Sequence, residues 1–476
     1  MKSERSIRSI KSTRSLRLSK AHSEVPRNEI IDFENVLPIA CAKFNCSNAI
    51  LVKRTQRNDD YYKSLKHIDT TRKRLSMPQS IKQESNTAEV QVENAGSTSE
   101  TEISSTQINT LIVNSVYDTY NSLTEIRLER LAQVPRTLMQ VIGFLVPYYK
   151  NISTMTIVNC QIDACIIYEL SKIIRVSTIN QVCLDGTSVA EANYTILLDT
   201  LNLRYLSLSR CNINDTVCEL LASKLHLSAT GEKLLVLNLS SNHITDVGAK
   251  SLADALRSNR YLRYLNIADN HVTDEGSLSI LLVLTEFPLT CDEILNKRQR
   301  YFTYLRKRHE LYLKYLDDQN SEELSHKPAK RKRNSATSLK SKSGVRKEKD
   351  VQNLMSYDDS IRADILAKQI LGIFVDPFQT DCIKNRDDHI YCLGNMALSY
   401  LNMSYNNLSF ISVKALRNVI SYQMCIKKTM QSGLMKVVID GNNLPIKCPE
   451  MTYINEVLGG KNNDTKRSKA HSKIGL

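Results

Sequence analysis

Apolar and polar positions alternate in short bursts along the middle of the chain, and each burst ends in the same way. LRYLSLSRCNI begins at Leu203, LLVLNLSSNHI at Leu234 and LRYLNIADNHV at Leu262. All three have the form L-x-x-L-x-L-x-x-N/C-x-L. Weaker copies start at Ile152 (ISTMTIVNCQI), Ile179 (INQVCLDGTSV), Leu398 (LSYLNMSYNNL) and Leu434 (LMKVVIDGNNL), and a degenerate one at Leu123 (LTEIRL). The L-x-L core has period two, so each copy predicts a short strand with residues such as Leu206 and Leu208 turned inward. The Asn or Cys position predicts a turn whose side chain satisfies buried backbone groups.

The period then changes. After Asn242 the chain reads HITDVGAKSLADALRSN, with Thr245 or Asp246 as a cap and Ala249, Leu252, Ala253 and Leu256 on one helical face. HVTDEGSLSILLVL after Asn270 behaves likewise. Strand, turn and helix recur at about 28 residues per unit, which predicts an α/β solenoid of curved parallel strands inside and helices outside.

These repeats resemble the leucine-rich repeat family, in its ribonuclease-inhibitor-like type, with ITDVGAKSLADAL and VTDEG especially typical. Cys160, Thr187 and Cys211 stand where the family pattern has Asn more often. The wider layout, with a long insertion before the last repeats and basic tails, resembles the leucine-rich repeat-containing protein 71 group. That resemblance implies a cytoskeletal or ciliary setting and a protein that is not an enzyme.

In such a fold the variable strand positions line the concave side. One row runs Thr154, Gln181, Tyr205, Val236, Tyr264, Tyr400, Lys436. The middle row runs Thr156, Cys183, Ser207, Asn238, Asn266, Asn402, Val438, and the third runs Val158, Asp185, Ser209, Ser240, Ala268, Ser404, Asp440. The face is small and mostly uncharged. Tyrosine serves as an interface anchor, being large, stiff and able to hydrogen-bond, and it also simply suits strands. The candidate docking residues are Tyr205, Ser207, Val236, Asn238, Tyr264, Asn266, Tyr400 and Asn402, and the expected ligand is a protein. Phosphate neutralisation needs clustered Lys or Arg, so the absence of a basic stripe argues against nucleic acid on this face.

Outside the repeats the composition shifts. The division expected is a disordered basic and Ser-rich region at 1–105, the solenoid at 106–284, a long basic amphipathic helix at 285–318 and a disordered basic linker at 319–355. A helix with the last repeats follows at 356–450, then a basic tail at 451–476. The single apolar island in the first region, IIDFENVLPIACAKF from Ile30, reads either as a docking segment or as a strand added to the solenoid. In the long helix, Ile294, Tyr301, Leu305, Tyr312 and Leu316 fall near one face, for packing against the helix's own domain or for a partner helix. A second helix is expected around Asp358 to Leu371.

The chain carries a net charge of +14 over 476 residues, which favours acidic partners. Basic residues open it at every third position: Lys2, Arg5, Arg8, Lys11, Arg14, Arg17 and Lys20, with serines after the first five. A period of three would scatter these charges around an α-helix but align them in one ridge of a polyproline II chain. The arm reads either as an electrostatic tether to an acidic polymer such as a microtubule, reversible by phosphorylation of its serines, or as a solubilising tail. Lys330, Arg331, Lys332 and Arg333 match a nuclear localisation signal, which keeps nuclear residence open beside a cytoplasmic, cytoskeletal or ciliary one.

The chemistry-bearing motifs sought are not there. The sequence has no P-loop, no G-x-S-x-G and no HExxH, and its twelve cysteines form no Cys-x-x-Cys pair. His243 and His271 occupy equivalent places in neighbouring repeats and should stack, without an evident third metal ligand. No catalytic residue, cofactor, metal or membrane span is expected. Activation or inhibition of an enzyme by holding it remains a third functional reading.

Overall fold

A computed structural model describes residues 32–56, 110–200, 202–226, 233–325, 360–387, 389–426, 433–445 and 448–459. Ten strands form one sheet in the order β1 (Ala49–Gln56), β2 (Thr110–Tyr117), β3 (Leu123–Glu129), β4 (Thr154–Val158), β5 (Gln181–Cys183), β6 (Tyr205–Ser207), β7 (Val236–Asn238), β8 (Tyr264–Asn266), β12 (Tyr400–Asn402) and β13 (Lys436–Val438). From β3 onward every neighbour is parallel. The two repeat blocks are therefore one solenoid: β12 pairs directly with β8, and the insertion loops out between them.

Helices return the chain behind the sheet: α1 (Phe33–Lys43), α2 (Arg136–Leu145), α3 (Ala164–Val176), α4 (Thr195–Leu198), α5 (Asp215–Leu225), α6 (Asp246–Ser258) and α7 (Asp274–Val283). The inward leucines of successive coils, among them Leu206, Leu208, Leu237, Leu239 and Leu265, are completely buried in a core that runs the length of the solenoid. On α6 the anticipated face, Ala249, Leu252, Ala253 and Leu256, is buried against it.

Two repeated devices hold the coils in register. The first is the turn after each strand. One residue there takes left-handed φ: Asn159, Gly186, Arg210, Ser241, Asp269, Tyr405 and Gly441. The next side chain then points into the stack. Asn242 donates to the carbonyls of Leu208 and Leu239, both at 2.9 Å, and accepts from the amides of Cys211 and Ile213. Asn270, Asn406 and Asn442 do the same in their coils. Where Asn is missing the substitutes still donate: Thr187 Oγ1 to Ile157 O at 3.1 Å, Cys211 Sγ to Leu184 O at 3.2 Å and Cys160 Sγ to Leu128 O at 3.6 Å.

The second device joins helix N-termini. Thr245 is the N-cap of α6 and Thr273 that of α7. The acid at the first helical position reaches into the next coil instead. Asp215 accepts from Thr245 N, Thr245 Oγ1 and Gly248 N at 2.6 to 2.9 Å. Asp246 accepts from Thr273 N, Thr273 Oγ1 and Gly276 N at 2.6 to 2.9 Å. Asp274 repeats the pattern across the insertion, onto Ser409 and Ser412.

The insertion leaves through β9 (Phe287–Pro288) and α8 (Cys291–Ser325). It returns through α9, helical over the described residues 360–371, then β10 (Ile383–Arg386) and β11 (His389–Cys392), where β11 pairs antiparallel with β9. Buried Asn395 closes the neck, its amide nitrogen donating to Leu256 O and Asn259 O. The chain ends its described course in α10 (Phe410–Ile426) and α11 (Pro449–Gly459).

Three boundaries differ from those expected. Within the region read as disordered, residues 33–56 build α1 and β1: Phe33, Leu37 and Cys41, spaced by four, pack into the core, and β1 adds a parallel strand beyond β2. The apolar island thus forms a helix, and the added strand comes just after it. Residues 449–459, read mostly as tail, form a helix with Ile454 buried against the core. The long helix starts at Cys291, in the run without Pro or Gly that follows Pro288, but continues to Ser325, past the expected end at 318.

Candidate functional site

The strand pairing brings the sequence-derived rows into line. Tyr205 pairs with Val236, Val236 with Tyr264, Tyr264 with Tyr400 and Tyr400 with Lys436. Tyr264 and Tyr400 are therefore true neighbours, their rings stacked at 4.0 Å between centroids and 4° from parallel. Lys436 Nζ lies 5.5 Å from the Tyr400 ring centre, within reach of a cation–π attraction. Tyr205 stands one strand apart from this pair, across Val236. All of these side chains are half-buried, with one surface towards solvent.

The middle row is a hydrogen-bonded wire. Asn266 Nδ2 donates to Asn238 Oδ1 at 2.8 Å, Asn238 Nδ2 to Ser207 Oγ at 2.9 Å, and Ser207 Oγ to Asp185 Oδ1 at 2.5 Å. Each Asn oxygen also accepts the amide two residues on, Ser240 N at 3.2 Å and Ala268 N at 3.1 Å. Asn402 turns its oxygen to Ser404 N and Ser404 Oγ. These groups are engaged in ordering the floor, and the tyrosine row is the part of the face with apolar surface to offer.

The sequence rows stopped one strand short. On β3, Glu125, Arg127 and Glu129 occupy the same three positions, in register with Thr154, Thr156 and Val158. Glu125 is buried and accepts from Thr156 Oγ1 at 2.7 Å and Arg127 Nε at 3.0 Å. This end of the face is closed and charge-paired. Its signal was the alternation Glu-x-Arg-x-Glu inside LTEIRLE, hidden by the degenerate form of that repeat.

The chemistry on the face is quiet. Burial, with Asp185 next to it, pushes the Cys183 thiol up to about 12, so it stays protonated at neutral pH and is no nucleophile. His243 and His271 stack at 5.8 Å on the loops beyond the strands, and no group of three or more His, Cys, Asp or Glu is placed to hold a metal ion among the described residues. Among them, too, no helix is long and apolar enough to cross a membrane. The basic triplets Lys2 to Lys20 and the cluster Lys330 to Arg333 lie outside the described residues.

Family models described as leucine-rich repeats match residues 202–223, 232–253 and 258–281. These segments contain β6, β7 and β8 with most of the helix that follows each, so the centre of the solenoid consists of leucine-rich repeats. A search of the curated proteins finds no match.

Proposed function

We propose that this leucine-rich repeat protein is a non-enzymatic scaffold that docks a partner protein on the concave face, centred on Tyr264 and Tyr400. Leucine-rich repeats generally mediate protein–protein interaction, which supports the class. The observation that carries the site is the stacked pair itself. Two aromatic rings held parallel by sheet register lose little freedom on binding and present a stiff apolar plate beside a cation. Helix-length repeats support the ribonuclease-inhibitor-like subtype, in which a curved face holds a target protein.

Attachment to an acidic cytoskeletal or ciliary structure through the basic arm is part of the same reading, supported by the triplet pattern of Lys2 to Lys20. The test separates the two parts. Proximity labelling in ciliated cells identifies partners of the intact chain, and purified binding then compares it with Tyr264→Ala/Tyr400→Ala and with a deletion of residues 1–20. The reading requires the tyrosine variant to lose a direct partner and the deletion to release the protein from the detergent-resistant pool. A tyrosine variant that keeps every direct partner removes the concave site, and a deletion that leaves fractionation unchanged removes the tether.

A further inference from the structure

Among the described residues the apolar stripe of α8 stays partly open, with Tyr301 46% exposed and Leu305 and Tyr312 half-buried. α9 packs against α8 through its smallest side chains, Ala363 and Ala367, both fully buried. Polar contacts fix the pair: Arg308 to Asp364, Tyr312 Oη to Ser360 Oγ at 2.9 Å, Tyr304 Oη to Gly372 O at 3.0 Å and Arg300 to Asp376 at 2.7 Å. Close approach through alanines leaves Ile361 and Ile365 of α9, and Ile373 of the following turn, beside the contact rather than in it. Ile361 is 41% exposed, Ile365 47% and Ile373 88%.

These side chains form one wall of two grooves, and the α8 stripe forms the other. One groove, of about 600 Å³, lies between Ile294 and Tyr301 on α8 and Ile373 and Phe374. The other, of about 560 Å³, lies between Leu305 and Tyr312 on α8 and Ile361 and Ile365. Ile294, Arg298, Tyr301, Leu305, His309 and Tyr312 follow one another at steps of three and four, so the grooves run end to end along one line of the helix. Ile294 to Tyr312 covers roughly 27 Å at 1.5 Å per residue, the length of a five-turn helix.

Charge selects the occupant. The groove carboxylates are already paired, Asp364 with Arg308 and Lys368, and Asp376 with Arg300. Lys297 and Arg298 line the first groove with no carboxylate partner among the described residues, and along the second Arg308 and Lys368 outnumber the single Asp364. A second copy would bring like charge to like. An anionic bilayer would meet exposed Phe302 and Ile373 but would leave Leu305 and Tyr312, half-buried in the second groove, uncovered. A ridge of leucine-sized side chains flanked by carboxylates fits both the recess and the sign of its rim.

We propose that the grooves between α8 and the 361–374 segment dock one acidic amphipathic helix of a partner protein, completing a three-helix bundle outside the solenoid. This site is separate from the concave face.

The test is fluorescence anisotropy on the full chain with designed helices of about three heptads, carrying Leu at the seam and either Glu or Lys at the flanks. Vesicles of phosphatidylcholine with and without phosphatidylserine, and sedimentation of the protein alone, run beside it. The expected result is binding of the Glu helix only. Ile365→Glu and, independently, Arg298→Glu should weaken it by at least about tenfold, while Tyr264→Ala/Tyr400→Ala leaves it unchanged. Both groove positions are exposed, and unchanged circular dichroism melts confirm folding. Several results overturn the proposal: equal binding of the Lys helix, no binding of the Glu helix at about 100 μM, or binding indifferent to Ile365→Glu. Vesicle binding lost in Phe302→Ala without helix binding, or a dimer abolished by Ile365→Glu, overturns it in favour of a membrane or a second copy.

Discussion

Tyr264 and Tyr400 stack at 4.0 Å although the entire insertion lies between them in sequence. The contact exists because β8 and β12 pair in register, so it reports the joint between the two repeat blocks as well as the candidate docking plate. A double-mutant cycle on denaturant unfolding should show a coupling of about 0.5–1.5 kcal/mol between Tyr264→Ala and Tyr400→Ala. Tyr264→Phe, which keeps the ring, should keep most of it. Additive single effects would mean that the rings are not in contact in solution.

The helix-joining carboxylates make two glycines obligatory. A Cβ at Gly248 would sit 2.6 Å from Asp215 Oδ1 and 2.7 Å from Ile244 Cγ2; at Gly276 it would sit 2.5 Å from Asp246 Oδ1 and 2.9 Å from Ala249 Cβ. Both glycines are helical, where alanine is otherwise the better residue. Gly248→Ala and Gly276→Ala should nevertheless destabilise the protein by about 1–3 kcal/mol through overpacking. Gly459→Ala, with nothing within 4 Å, should be neutral or slightly stabilising. Chemical denaturation of the three variants decides, and stabilisation at Gly248 or Gly276 would refute the coupling of helix ends.

Much of this architecture was legible in the sequence because two periods coexist in each repeat. Period two put Leu206 and Leu208 inside and predicted the rows that β-pairing aligns. The Asn, Cys and Thr after each strand announced the buried turn. What the sequence did not disclose depends on contacts across long separations. Phe33, Leu37 and Cys41 belong to an apolar island that the sequence shows, but only the core beneath α2 makes it a helix packed on the solenoid. Asp246 was readable as a cap, yet Thr245 caps and Asp246 reaches the next coil. The α8 stripe was readable as apolar, but whether it is covered depends on Ala363 and Ala367, whose small size matters only once α9 lies alongside. Tyr453 and Ile454 sit in a region whose basic composition masked an eleven-residue helix.

Acid should loosen the joint between the blocks. Burial works against the charged form of Asp274, but the hydroxyls and amides of Ser409 and Ser412 outweigh it and hold the carboxyl below its ordinary value of 3.8. A carboxyl depressed in the folded state adds stability that is fully present above its unfolded pKa and disappears as pH falls through the folded one. At neutral pH, Asp274→Asn should cost about 1–3 kcal/mol, since at least one donor loses its acceptor. Below about pH 4 the penalty should shrink as the wild-type carboxyl protonates. Urea unfolding of both proteins from pH 7 to pH 3 measures the difference, and a gap that does not narrow would remove Asp274 as the acid-sensitive group.

The neck of the insertion predicts that it can be excised. β9 and β11 run antiparallel at its base, with Phe287 opposite Cys392, Pro288 opposite Tyr391, and Leu289 N bonded to Ile390 O at 2.8 Å. A two- to four-residue turn therefore suffices to join Leu289 to Ile390. The solenoid on either side is held without the insertion, by the β8–β12 pairing, by Asn406 accepting from Val272 N, and by Asn395 on the α6 carbonyls. The excised chain loses buried Phe378 and the Arg260 contacts near it, so some destabilisation is expected, but unfolding should remain one cooperative transition. It should keep the partner proposed for the concave face while losing the Glu-helix binding proposed for α8 and α9. Two separate melting transitions, or loss of the concave partner with the fold intact, would mean that the insertion is a structural part of the solenoid rather than a second binding arm mounted on it.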